Sequence, residues 1–323
     1  MTRLHFAEGQ FSSGCRQGNV FTRHFRYIAP IALALLCIVL VDMSPGTSAA
    51  QTDAAGKKPK PTPCAPSIGK CGCTITATGF YQVTKNLNLP GGTLNDSDQS
   101  CIAVSAPRVG LYLAGMTITN KLTSGGIGIH LNPSAANSFI EGAGATLAGW
   151  TYGVEDNANN VILTNLSADN NTTAGFLVRR ATGVAIANFG AHGNGQYGVL
   201  LNGALVAQVS GGAVNPPASP GIQNNGLAGI QVSATSKPVL VSSGIRIFGN
   251  CITGNLGAGI LLGEGVLNSR VSGNEVAGNT AGDLTDLNNN CGSNLWFGNS
   301  FGVGNPVTCI GQSVAISVCP TSP

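Results

Sequence analysis

Two sets of residues in this sequence have the types and spacing for acid–base or ligand chemistry. Asp169 and His192 are 23 residues apart, and each lies four residues after an Asn, Asn165 and Asn188. Glu155 and Asp156 precede Arg179 and Arg180 by 24 residues. In a chain that repeats at this period, each set would stack on consecutive turns, with backbones about 4.8 Å apart. A carboxylate beside an imidazole is a general-base arrangement, and a carboxylate–guanidinium cluster suits an acidic sugar. The same residues also suit a wet turn and a surface ion pair worth under about 1 kcal/mol. Tyr152 and Tyr197, with Trp150 nearby in sequence, add aromatic faces that either stack on sugars or pack along an outer wall.

The elements that must position these residues are legible from a recurring phrase. It reads Gly126-Ile-Gly-Ile129, Gly153-Val-Glu-Asp156, Gly175-Phe-Leu-Val178, Gly198-Val-Leu-Leu201, Gly229-Ile-Gln-Val232, Gly259-Ile-Leu-Leu262 and, degraded, Gly282-Asp-Leu-Thr285. The glycines are spaced by 27, 22, 23, 31, 30 and 23 residues, which defines a coil of about 22 residues with insertions. A second phrase ends apolar stretches in Asn, with another Asn five or six residues on: Asn165 and Asn170, Asn188 and Asn194, Asn250 and Asn255, Asn274 and Asn279, Asn299 and Asn305. Asn tolerates left-handed backbone, so both positions read as turns. Between them, runs such as Val161-Ile-Leu163 and Ile245-Arg-Ile247 alternate at period two, and no segment after residue 70 has a helical period. Three short strands and three turns per coil make an all-β solenoid, a single-stranded parallel β-helix whose coils stack to bury a common core. On this alignment Asp169 and His192 share one column, continued by Gly254 and Gly278.

Residues 101 to about 310 resemble the right-handed parallel β-helix proteins of the pectin-lyase-like superfamily. The opening Cys101-Ile-Ala-Val104 and Val109-Gly-Leu-Tyr-Leu-Ala-Gly115 is similar to the first coils of uncharacterised secreted bacterial members. The resemblance implies the fold but no single activity, because this architecture hosts lyases, hydrolases, epimerases, adhesins and spacers. The Arg-x-Pro-x-x-Arg element of pectate lyases is absent, as are the Asn-x-Asp, Asp-Asp, Gly-His-Gly and Arg-x-Lys elements of polygalacturonases. Asp96 and Asp98 are close enough to ligate calcium but lie in a Gly/Asn-rich loop, so no metal or other cofactor is expected. Gly193-Asn-Gly195-Gln-Tyr-Gly198 matches a dinucleotide loop in letters only, with no helix to follow it, and reads as turn chemistry.

Arg23, His24 and Arg26 precede the apolar run Ile28 to Val41, with Ser48 and Ala50 placed for cleavage before Gln51. Residues 1–50 therefore read as an N-terminal region with a secretory signal, leaving no membrane span in the mature protein. Residues 51–70, rich in Pro and Lys, read as a solvated linker. Residues 71–323 read as the β-helix, with an N-terminal cap over 71–100 and a C-terminal cap over about 286–323, in which Trp296 and Phe297 plug the open end. From Cys71 onward 8 Lys plus Arg stand against 10 Asp plus Glu, a net of −2, which excludes the basic footprint of a nucleic-acid binder. Charged residues are only 9% of the chain, so Asn, Ser, Thr and Gly supply the polar surface, suited to hydroxyl-rich partners such as polysaccharide.

Eight cysteines follow the signal: Cys64, Cys71, Cys73 and Cys101 near one end, and Cys251, Cys291, Cys309 and Cys319 toward the other. In an exported chain they read as disulfides formed within each end group, stapling the solenoid's ends; a metal site at Cys71-Gly-Cys73 lacks the partner spacing it needs. Two functions are expected. One is a non-catalytic secreted, periplasmic or cell-surface protein, either a scaffold or a polysaccharide binder. The other is a polysaccharide lyase, epimerase or glycoside hydrolase, with Asp169 and His192 as catalytic pair and Glu155, Asp156, Arg179, Arg180, Tyr152 and Tyr197 as binding residues. Oligomeric state is left open by the sequence.

Overall fold

The computed structural model describes residues 62–89, 99–121, 125–212, 221–236 and 239–311. The signal region, Asp96, Asp98 and Cys319 lie outside them. The alternating segments form strands that stack in parallel, one coil on the next. Ten strands make one sheet, running from Cys73–Ile75 through Tyr152–Asp156, Ala174–Arg179, Tyr197–Asn202 and Ala228–Ser233 to Gly304–Asn305. A second sheet of 17 strands takes up the other walls of the coils, and a two-stranded antiparallel hairpin, Thr235–Ser236 with Val239–Leu240, is inserted in one of them. It bends at a column of left-handed residues that includes Asn165, Asn188, Gly211 and Gly249, so each coil has three walls. Wall 1 holds residues 162–164 and their partners, wall 2 holds 166–169 and theirs, and wall 3 is the ten-stranded sheet.

The recurring Gly has a steric cause. A Cβ on Gly153, Gly175, Gly198 or Gly229 would lie 2.6–2.8 Å from the carbonyl oxygen of the next coil's Gly, closer than real Cβ atoms come. The register also moves the ends of the phrase: Gly128, not Gly126, faces Gly153, and Asp283, not Gly282, faces Gly259.

The recurrent Asn residues separate into two classes that the sequence merged. Asn165, Asn170, Asn188 and Asn224 have positive φ and make the turns. Asn171, Asn194, Asn225, Asn255 and Asn279 are buried and form a ladder. Each of the first four donates from its backbone N and its Nδ2 to the next Oδ1 at 2.8–3.1 Å. Trp150 N donates to the first Oδ1, and Asn279 donates to Asp283 Oδ1 at the other end. The Gly column makes room for this ladder, since a Cβ on Gly153 or Gly198 would also press on Asn171 or Asn225 Nδ2. Asn250, Asn274 and Asn299 repeat the device at the turn between walls 1 and 2.

The core is a set of apolar columns: Val154, Phe176, Val199, Ile230 and Ile260 from wall 3 meet Leu163, Ile186, Val209 and Ile247 from wall 1. Each such side chain contributes about 1.5–3 kcal/mol by burial. The folded body begins before residue 71. Residues 62–70, expected as linker, join it because Ser67–Ile68 pairs with Gly79–Val83 and Ile68 enters the core. Regular coils also persist through Gly304–Asn305, and the helix Val307–Ile310 follows. Trp296 does turn into the last coil, donating Nε1 to Asp286 Oδ2 at 3.0 Å, but Phe297 faces outward, as alternation requires.

Disulfides join Cys64 to Cys73, Cys71 to Cys101 and Cys291 to Cys309, within the two end groups, and Cys251 is disulfide-bonded as well. They place the domain in an oxidising environment. Converting Cys71 and Cys101 to Ser frees a loop of 30 residues and is expected to cost about 3–4 kcal/mol, read as a lower denaturation midpoint; an unchanged midpoint would contradict the stapling role. Among the described residues no helix is long and apolar enough to cross a membrane.

Candidate functional site

The structure divides the expected site between two walls. On wall 2, Asp169 and His192 are in register on consecutive coils, with Oδ1 and Nδ1 2.9 Å apart. Ser167 Oγ donates to the same Oδ1 at 2.7 Å. This column continues through Gln223, Thr253 and Ala277, not the glycines expected, because Gly254 and Gly278 belong to the left-handed turn one residue on. His192 Nε2 is buried without a hydrogen-bond partner among the described residues. A carboxylate fixes this imidazole, and the hydroxyl sits on the carboxylate side of it, not on the Nε2 side.

Glu155 and Arg179 are on wall 3. Alternation turns Val154 and Asp156 inward and Glu155 outward, so the adjacent acids have different environments. Asp156 is 0% exposed and lies in a core column between Leu131 and Val178, which removes it from the surface cluster expected of it. Its Oδ1 accepts from Ala158 N at 2.9 Å, and Oδ2 has no hydrogen-bond partner among the described residues. Burial raises its carboxyl to about 7, against the opposing pull of the Ala158 N–H and His130. Arg180 sits at a left-handed turn residue and is exposed, off the strand that carries Arg179.

On the outer face of wall 3, Arg179 Nη1 lies 3.5 Å from Glu155 Oε1. Asn157 Nδ2 is 3.0 Å from His130 Nε2 and 3.4 Å from Glu155 Oε1. Tyr152 joins the group: burial raises its phenol, while the charge of Arg179 and a hydrogen bond to it pull the other way. Tyr197, two strands further along, is raised by burial and restrained by a hydrogen bond with Gln231. Both phenols therefore stay protonated at neutral pH. Asn202, in register with Arg179, and Gln196, beside Tyr197, each hold a buried carbonyl oxygen with no donor among the described residues.

Part of this face is also covered. Outward-facing Ala103, His130, Glu155 and Leu177 are 1–7% exposed, whereas Phe139 and Ile162, outward on wall 1, are 42% and 44% exposed. His130, Asn157, Asn202 and Gln231 escaped the sequence reading because no motif marks them. The register was their only signal, through the column His130, Glu155, Leu177, Leu200, Gln231. No group of three or more His, Cys, Asp or Glu placed to hold a metal occurs among the described residues.

No family model and no curated protein matches the chain. Among solved structures it is similar to tailspike protein 2 from Escherichia coli O157:H7 bacteriophage CAB120, with 16% identity, a TM-score of 0.49, and coverage of 74% of this chain and 34% of that one. The Dettilon tailspike protein is 15% identical at a TM-score of 0.44, with 74% of this chain and 54% of that one covered. The A-module of Azotobacter vinelandii mannuronan C-5 epimerase AlgE4 is 14% identical at a TM-score of 0.37, with 78% and 81% covered. The chain thus spans about a third of the first of these and about half of the second. On its own three-walled coils and parallel registers, the chain is a parallel β-helix, with disulfides near its two ends.

Proposed function

We propose that the protein is an exported β-helix that binds polysaccharide on the outer face of wall 3, without cleaving it. The observation that carries this reading is the placing of Tyr152 and Tyr197 two strands apart on one face, with the Glu155–Arg179 pair beside them. Two strand steps separate the tyrosines by about 10 Å along the axis, comparable to a disaccharide. Neutral phenols stack and hydrogen-bond; they do not act as bases at neutral pH. Export through residues 1–50 belongs to the same proposal.

A second reading, a carbohydrate-active enzyme, draws on the Asp169–His192 contact at 2.9 Å. Against it stands the separation of that pair from Glu155 and Arg179, since a catalytic constellation must converge. Neutral and acidic polysaccharides incubated with the purified protein are expected to be retained without new reducing or unsaturated ends. Tyr152→Ala with Tyr197→Ala should weaken retention about tenfold or more. Products that disappear in Asp169→Ala or His192→Ala would overturn this reading in favour of the enzyme.

A further inference from the structure

We propose that wall 1 carries a second ligand site, in which Arg246 and Arg270 together hold the anionic group of an extended acidic glycan. The two arginines are directly opposite in register on adjacent coils, and both are exposed. Like charges so placed repel, and a sheet normally relieves them with an intervening acid. None is present: among the described residues neither guanidinium has a carboxylate partner. The acid on the outward columns of this wall is Glu141, four coils from Phe248, and its Oε1 already accepts from Ala143 N and Asn165 Nδ2.

The pair is also held in place. Arg270 Cζ lies 4.2 Å from the centre of the Phe297 ring, a cation–π contact that limits where the fork can point. Phe248 and Phe297 stand in one column two coils apart, each partly exposed, and Ser272 lies between them. Adjacent guanidinium groups on strands about 5 Å apart can share one carboxylate or sulfate, while aromatic rings meet the apolar faces of neighbouring sugars. The body as a whole, with 8 basic against 10 acidic residues, disfavours a continuous polyphosphate but tolerates a spaced charge. The proposal is independent of the wall 3 reading, since no residue is shared.

The test measures binding of the intact protein to polygalacturonate and to heparin, which separate carboxylate from sulfate, with dextran and duplex DNA as comparisons. At least one acidic glycan is expected to bind, more weakly as salt rises. R246Q with R270Q should weaken that binding about tenfold or more, with the melting temperature unchanged, and Arg270→Lys should restore only part of it. Tyr152→Ala with Tyr197→Ala should leave it intact, which separates this site from wall 3. The proposal is overturned if the double Arg variant binds as wild type, if neither acidic glycan binds, or if DNA binds as tightly as the glycan.

Discussion

The Asp156→Asn protein is expected to exceed the wild type in stability at about pH 8 by up to about 4 kcal/mol, and to match it near pH 4. Asp156 is 0% exposed in a column otherwise filled by residues such as Leu131, Val178 and Leu201. One of its oxygens has the Ala158 N–H; the other has no hydrogen-bond partner among the described residues. Burial therefore favours the neutral acid and lifts the group from 3.8 to about 7 in the fold. The unfolded chain releases this proton near 3.8, so between there and about 7 the native state holds a proton that the unfolded state has lost. Stability then falls as pH rises through this window and stays low above it. Asn keeps the acceptor for Ala158 N and imitates the protonated acid at every pH. Urea unfolding of both proteins across this range gives the answer. A wild-type profile that runs parallel to that of Asp156→Asn would show that the carboxylate finds stabilisation that the structure does not contain.

The fate of this residue shows where the sequence was readable. The Gly phrase carried the period, and the period carried the coil, because backbone approach at Gly153, Gly175 and Gly198 admits no Cβ. Which face each residue takes followed only from register. Glu155 and Asp156 look equivalent as letters, yet alternation sends one to an outer polar face and the other into the core. Asp169 and His192 were brought together correctly by counting from Asn165 and Asn188, two residues that do share a column. Counting onward from Asn250 failed, because Asn250 is a buried ladder residue one position past the left-handed Gly249. The distinction between a turn Asn and a ladder Asn lies in where the amide points. His130, Asn157 and Asn202 were invisible for a related reason: single polar residues gain meaning only from the coil above and the coil below.

The ladder itself yields the other large effect. Asn225→Ala is expected to cost about 2–5 kcal/mol, far more than Asn88→Ala, whose exposed side chain accepts from Thr119 Oγ1 and whose loss water makes good at under about 1 kcal/mol. Asn225 Oδ1 accepts from Asn194 N at 3.1 Å, and it also receives Asn194 Nδ2 at 2.9 Å. Removing it leaves a buried backbone donor unsatisfied and weakens a second, each worth about 1–3 kcal/mol. On the other side, Asn255 Oδ1 keeps the backbone N of residue 225 but loses its Nδ2. Each Nδ2 in the column bonds the next Oδ1 in the direction of Asp283, and donates as well to a main-chain carbonyl of the coil before, so the amide-to-amide bonds polarise one another and the last ends on a carboxylate. The rungs should therefore be coupled: Asn194→Ala with Asn225→Ala is expected to cost less than the two single changes added together. Asn225→Asp should be worse than Ala, since it sets an anion against Asn255 Oδ1 and the Ala191 carbonyl in place of a donor. Chemical denaturation of these four variants and Asn88→Ala would measure the series. Equal small losses at Asn225 and Asn88 would mean that the stack of apolar columns holds the coils in register without the ladder.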